Sequence, residues 1–347
     1  MPRLRRSDPS APGFTRRRSG RGFVYLDFNG ARIGDPEIVQ RIKDLAIPPA
    51  WSDVWICPYP NGHLQALGTD AAGRRQYLYH PAWRARRDSE KFDRMIGFAR
   101  SLPRLRKTAM DHLAEEGLPR ERVLACAARL LDRGFFRIGS ESYAEESGTV
   151  GLATIKKEHV GFDGDVLVFD YPAKGGKQRV QSIVDRDVHE VVRSLKRRRD
   201  SMDELLAYRN GRRWVDVRAA DINGYIKEHM GEDFSAKDFR TWHGTVFAAI
   251  SLAVASPAAK SPTAAKRAMS WAVKEVSHYL GNTPAVCRAS YIDPRVFDRY
   301  RAGVTIGGAL HALGADSFEQ PTMQSAIEEA VIDLLAGEDS SALERVA

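Results

Sequence analysis

Two periods divide the chain. Between residues 22 and 82, short apolar runs alternate with polar positions and end on turn residues. Residues 23–28 close on Asn29-Gly30, residues 55–58 and 63–68 are joined through Pro60-Asn61-Gly62, and residues 76–80 follow; each reads as a strand, with a short helix over 37–46. From Lys91 the spacing becomes three and four: Phe92, Met95, Ile96 and Ala99, then Val123, Leu124, Ala127, Leu130 and Leu131 within 120–133. Alternation returns over 159–170, where strands at 166–169 and 178–180 flank Tyr171-Pro172-Ala173-Lys174-Gly175-Gly176-Lys177. This predicts a hairpin whose tip projects Lys174 and Lys177. Helices are then expected at 184–199, 219–230, 246–255, 264–280 and 321–336. The fold class is α+β, a small strand-rich N-terminal domain followed by a larger, mainly helical one. Expected boundaries are 1–21, a basic arm; 22–88, the strand module; 89–301, the helical body; and 302–347, an acidic segment.

Composition changes this picture in three ways. A chain of 347 residues with 43% hydrophobic content can bury two cores. No apolar run approaches the ~18 residues of a membrane span, and Met1-Pro2-Arg3-Leu4-Arg5-Arg6 lacks the core of a secretion signal. Cys57, Cys126 and Cys287 are odd in number and without metal-like spacing, which suits a reducing compartment, so a cytoplasmic protein is expected. The formal charge is +8, yet residues 302–347 hold eight carboxylates against Arg345 alone. That is a net of −7, leaving +15 on residues 1–301, which predicts a polyanion-binding body. Arg3, Arg5, Arg6, Arg16, Arg17, Arg18 and Arg21, interleaved with Pro, Ser and Gly, read as a flexible arm. The nine histidines form no HExxH or His/Cys pairing, and no carboxylate cluster has two-metal spacing; neither metal nor cofactor is expected.

Candidate chemistry gathers around Tyr291. Gly281-Asn282 ends the 264–280 helix, and Asp293-Pro294 makes a second break, so Tyr291 sits in a short segment between two stops. A phenol of pKa ~10 is a poor nucleophile at neutral pH unless cations stabilise the developing charge and an acid protonates the leaving group. Cations are available. Arg137 lies between Phe136 and Ile138, which implies partial burial and a need for an anionic partner. Arg240 lies near an expected helix start, where backbone amides add positive potential. Lys174 could move in on its hairpin to donate a proton. In the strand module, Tyr77 and Tyr79 share one strand face with Arg74, Arg75 and Gln76 at its entrance, a set suited to backbone phosphates or, equally, to inert cross-strand pairing.

Arg137 in Phe-Phe-Arg-Ile-Gly, Lys174 in a hairpin, Arg240 in Lys-Asp-Phe-Arg-Thr-Trp and Tyr291 in Arg-Ala-Ser-Tyr-Ile-Asp-Pro together resemble the type IB DNA topoisomerases. The resemblance is to the compact poxvirus and bacterial branch. The strings over 47–57, 60–63 and 74–77 resemble the bacterial members, and the resemblance runs from about residue 22 to about 301. It implies transesterification on duplex DNA, preferably supercoiled, by a monomeric, nucleoid-associated enzyme. Tyr291 would form a 3′-phosphotyrosyl bond, Arg137 and Arg240 would neutralise the transition state, and Lys174 would be the general acid. Asn282 stands where the poxvirus enzymes have histidine and could donate a hydrogen bond to phosphate without charge. Gln76, Tyr77, Tyr79 and Tyr143 match DNA contacts, and the two domains would close as a C-shaped clamp. Two rivals remain. A tyrosine recombinase shares the chemistry, but its second arginine usually follows a His-x-x pattern where this chain has Lys237, and it generally begins with a helical domain. A noncatalytic DNA-binding protein would explain charge and aromatics alone.

Overall fold

The computed structural model describes residues 3–139, 148–256, 261–313 and 321–345. Its contacts divide the chain into two compact units, residues 1–92 and 93–347.

The first unit is built on a five-stranded antiparallel sheet of order β2-β1-β3-β4-β5, with β1 Phe14–Ser19, β2 Gly22–Leu26, β3 Ser52–Ile56, β4 Leu64–Thr69 and β5 Arg75–Tyr79. Helix α1, Pro36–Asp44, starts where Asp35 accepts the Glu37 amide at 2.8 Å with proline at the first helical position. Its Ile42 joins Phe14, Ile47, Val54, Ile56 and Ala66 in the core. The stretch expected as a flexible arm is instead folded. β1 pairs Arg16 with Tyr25 and Arg17 with Val24, and the Arg16 guanidinium donates to the carbonyls of Ile47 (3.0 Å), Pro48 (2.6 Å) and Trp51 (2.9 Å). Three guanidinium N–H groups on one side chain satisfy a carbonyl-rich loop that would otherwise need water, so an arginine that looks solvated by composition fastens the strand. Nearer the terminus, the Arg5 guanidinium lies 3.6 Å from the Tyr59 ring centroid.

Helix α2, Pro81–Leu113, runs through the boundary expected near residues 83–90. The charged run there is an exposed stretch of helix, and the division between units falls inside the helix, at Phe92.

The second unit continues with α3 Arg120–Gly134 and an antiparallel sheet β6-β7-β8 (Val160–Asp163, Val166–Ala173, Lys177–Val184). Then come α4 Arg186–Lys196, a ribbon of β9 Ala207–Asn210 and β10 Arg213–Asp216, α5 Ala219–Met230, α6 Ala236–Ala255 and α7 Pro262–Leu280. The short helices α8 Pro284–Ser290 and α9 Pro294–Arg301 follow, then β11 Val304–Thr305, α10 Gly307–Leu313, α11 Pro321–Ala336 and β12 Glu344–Arg345. Helix α6 is the hub. Phe239, Trp242, Ala248 and Leu252 on it are all buried, and α3, α7, α9 and α11 pack on it.

The acidic segment is part of this body. β12 pairs with β11, and α11 buries Ile327, Ala330, Val331, Leu334 and Leu335. Glu328 is also buried, its carboxylate held by Arg106 at 2.5 and 2.8 Å and by the Trp242 indole N–H at 3.2 Å. Arg106 in turn holds Asp132 at 2.8 and 2.9 Å.

Candidate active site

Tyr291 is framed by two caps. Thr283 accepts the Val286 amide at 3.3 Å and Pro284 opens α8; Tyr291 ends that helix, its amide reaching the Cys287 carbonyl at 2.9 Å. The buried Asp293 caps α9 through the Arg295 amide at 2.9 Å and pairs with the Arg295 guanidinium at 2.7 Å. The Asp293 amide donates to Thr245 Oγ1 at 3.0 Å, fixing the segment to α6. Gly244, one residue earlier on α6, lets the backbones meet: a Cβ there would lie 2.6 Å from the Tyr291 carbonyl oxygen. The short segment between breaks is thus a helix end held from both sides, with the phenol half-exposed.

Arg240 lies beneath that phenol, 4% exposed, its guanidinium carbon 5.3 Å from the Tyr291 ring centroid and in hydrogen-bond contact with the side chain. It donates to the carbonyls of Phe135 at 2.5 Å and Leu280 at 2.7 Å; its Nε–H has no partner among the described residues. The sequence placed Arg240 at a helix start. In the structure α6 begins at Ala236, so Arg240 lies beyond its first turn; there the Ser235 amide and hydroxyl donate to the Asp238 carboxylate at 2.9 Å each, and the Ala236 amide donates to Asn223 Oδ1 at 3.0 Å. Any anion there would meet the guanidinium, not the helix end. Burial, and after it the Arg137 charge, push the Arg240 pKa down to about 10, still a cation at neutral pH.

Phe135 turns α3 off in the left-handed region, φ 54°, and Arg137 follows two residues later. Arg137 donates to the Gly281 carbonyl at 2.9 Å and to Asn282 Oδ1. That bond orients the amide. With Oδ1 taken, Nδ2 is the free donor, left facing the Cys287 thiol with no oxygen acceptor among the described residues.

Lys174 is exposed at the Lys174-Gly175-Gly176 turn between β7 and β8, and with Gly281, Asn282, Tyr279 and Arg179 it lines a cavity of about 760 Å³. Lys177 lines the same cavity but is the first residue of β8, paired with Ala173, and not the tip.

Arg179 and Gly244 were not singled out from the sequence. Glycine inside an otherwise apolar helix was the available signal for Gly244. For Arg179 the signal was strand parity, since on β8 it points to the same side as the inward Ile183. A second phenol, Tyr171, is buried with its hydroxyl given to Gln181 Oε1 at 2.6 Å, and burial pushes its pKa up.

Among the described residues, no carboxylate pairs with Arg137, Arg179 or Arg240; their partners are carbonyl, amide and phenol oxygens. Grouping like charges in a low-dielectric site is unfavourable until an anion enters. The arrangement can stabilise a trigonal-bipyramidal oxyphosphorane beside a phenol.

In the first unit, β5 exposes Arg75, Tyr77 and Tyr79, with the tyrosine rings stacked at 6.1 Å between centroids. Gln76 and Arg74 are diverted to Asp70, at 2.9 Å each. Tyr143 lies outside the described residues. No group of three or more His, Cys, Asp or Glu among the described residues could hold a metal ion, and none of their helices is long and apolar enough to cross a membrane.

Comparison with known proteins is consistent along the chain. A model of the catalytic core of eukaryotic DNA topoisomerase I matches residues 80–303, and a model of the N-terminal domain of bacterial DNA topoisomerase IB matches residues 22–70. DNA topoisomerase 1B of Acanthamoeba polyphaga mimivirus is 28% identical over 295 residues, covering 83% of this chain and 88% of the viral protein. DNA topoisomerase 1B of vaccinia virus (strain Copenhagen) is 22% identical over 269 residues, covering 76% and 81%. The core match contains Arg137, Lys174, Arg240, Asn282 and Tyr291, and it ends before α10 and α11.

Proposed function

Because this chain belongs to the DNA topoisomerase I family, as a type IB enzyme, we propose that the cluster around Tyr291 cuts and reseals one strand of duplex DNA through a 3′-phosphotyrosyl intermediate. The Tyr291 hydroxyl releases its proton to solvent as its oxygen attacks a backbone phosphorus; the Oη–P bond forms and the P–O5′ bond breaks. Arg240 and Arg137 offset the charge on the nonbridging oxygens, and Asn282 donates its free Nδ2–H to one of them. Lys174 protonates the departing O5′. In reverse, O5′ attacks phosphorus and Tyr291 leaves. The phosphodiester energy is retained in the intermediate, so no ATP is consumed, and rotation of the free end between the steps relaxes supercoils of either sign.

The observation that carries this reading is Arg240: a guanidinium 4% exposed, without a carboxylate among the described residues, against the ring of the candidate nucleophile. Arg75, Tyr77 and Tyr79 on β5, with Tyr143 and Lys177, are the proposed duplex contacts. The two units close round DNA as a clamp, and one chain suffices for the reaction, with supercoiled DNA the preferred substrate. The bacterial type IB N-terminal match over 22–70 favours this over a recombinase.

The test is relaxation of positively and negatively supercoiled plasmid in EDTA without ATP. Both should relax, and Tyr291→Phe should abolish both. Failure of the parent to relax either sign, or relaxation surviving the substitution, would overturn the assignment.

A further inference from the structure

Arg179 lies five residues beyond Lys174 on the same hairpin, opposite Tyr171 in the β7–β8 register. Its guanidinium donates to the Tyr279 carbonyl at the end of α7 and shares a hydrogen bond with the Tyr171 side chain. A Cβ on Gly281, which closes α7 at φ 60°, would lie 2.8 Å from Arg179 Nη1. The hairpin is therefore seated on the residues that immediately precede Asn282 and α8. Deeper in the same face, Gln181 donates to the Gly134 carbonyl and accepts from Tyr171, fixing the root of the hairpin to α3. The root and the middle are anchored, and Lys174 is at the exposed end.

We propose that Arg179 is a positioning residue for the proton donor: by fastening β8 to the α7–α8 junction, it sets where the Lys174 ammonium can reach relative to the phosphate held by Arg137 and Asn282. This rests on the reading of Lys174 as general acid. A lysine at the end of a two-stranded ribbon has many rotamers and a hinged support. Proton transfer needs the donor within about 3 Å of O5′, so loosening the ribbon lowers the fraction of time the donor is in place. Arg179 has no carboxylate partner among the described residues, and its contacts are carbonyl and phenol oxygens, so its charge also remains available to the field around Arg137.

The experiment compares single-turnover cleavage of a duplex carrying an ordinary 5′-oxygen at the scissile phosphate with one carrying a 5′-bridging sulfur. A thiolate, of pKa about 8.5, leaves without protonation and needs no general acid. Arg179→Ala should slow cleavage of the oxygen substrate by about 10²-fold, and most of that deficit should vanish on the sulfur substrate, as for Lys174→Ala. Arg179→Lys, which keeps the charge and one anchoring donor, should show a smaller deficit with the same recovery, and it serves should the alanine variant fold poorly. The double variant Arg179→Ala/Lys174→Ala should cleave the oxygen substrate no more slowly than Lys174→Ala alone, since two residues acting through one step are not additive. Equal deficits on both substrates, additive losses in the double variant, or no deficit at all would overturn the proposal. A parent protein forming no covalent adduct with either substrate would instead overturn the reading of the whole site.

Discussion

Glu328 tests whether the acidic C-terminal segment belongs to the catalytic body. The Arg106, Asp132 and Glu328 side chains are 16%, 4% and 9% exposed, so their charged hydrogen bonds operate largely out of water. Burial pushes Arg106 toward losing its proton, yet Asp132 and Glu328 outweigh that and hold it firmly charged. Glu328→Ala removes two charged hydrogen bonds from Arg106 and takes the carboxylate acceptor from Trp242, which is 0% exposed. Removing one partner of a buried ion pair costs ~3–5 kcal/mol, and Asp132 remains to balance Arg106, which favours the lower end. An indole N–H left without its acceptor adds ~1 kcal/mol or more to a charged-bond loss of ~2 kcal/mol, which agrees. The expected loss is about 3 kcal/mol. Glu328→Gln, which keeps an oxygen for Trp242, should lose about half as much. Urea unfolding followed by tryptophan fluorescence measures both, and in thermal melts the alanine variant should fall by roughly 6–12 °C, at ~2–4 °C per kcal/mol for a unit of this size. A loss under ~1 kcal/mol for Glu328→Ala would refute the reasoning, and α11 would then be an accessory to the fold.

Two further outcomes follow from the same structure. Arg75 is exposed and outside the Asp70 cluster that holds Arg74 at 2.9 Å, so Arg75→Ala should lower the slope of log K against log salt for DNA binding by about 0.9 and Arg74→Ala by clearly less; equal slopes for the two variants would contradict the assignment. His243 is buried beside Asp132, and burial pushes its pKa below the usual imidazole value, against the opposing pull of Asp132 and Glu328. The unfolded chain thus takes up this proton more readily than the folded one, so the imidazole's contribution is complete above pH ~6.5 and is lost as pH falls below it. The gap in unfolding free energy between the parent and His243→Gln should shrink between pH 7.5 and 5.5, and a constant gap would refute this.

Periodicity located most of the elements because their faces are one-sided: residues 219–230 were expected as a helix and form α5, and 321–336 form α11. The motifs that carry the family resemblance, rather than any period, put Arg137, Lys174, Arg240, Asn282 and Tyr291 in order along the chain. Neither period nor motif could show that Arg137 fixes the Asn282 amide, or that Gly244 admits the Tyr291 carbonyl, because those contacts join residues 145 and 47 positions apart, and no local pattern encodes them. The N-terminal arm was misread, and the pairing of Glu328 went unseen, for one reason. Composition counts charge and is blind to pairing. Arg16 counted toward a solvated arm, yet its two terminal nitrogens donate to three carbonyls and make it a staple of the sheet. Glu328 counted toward an acidic tail, yet it completes the shell of Arg106.

The same distinction separates the arginines that frame the fold from those proposed to act on the phosphate. Arg106 meets carboxylates on two sides, so its field is spent inside the protein. Arg137, Arg179 and Arg240 meet only neutral oxygens among the described residues, so their field remains available outside it. A protein that binds a polyanion and does chemistry on one of its phosphates needs both kinds. The first holds the helices that carry the second, since Arg106 and Glu328 fasten Trp242, two positions along α6 from Arg240. Charge that is paired builds the frame, and charge left unpaired against Tyr291 is what a phosphodiester would complete.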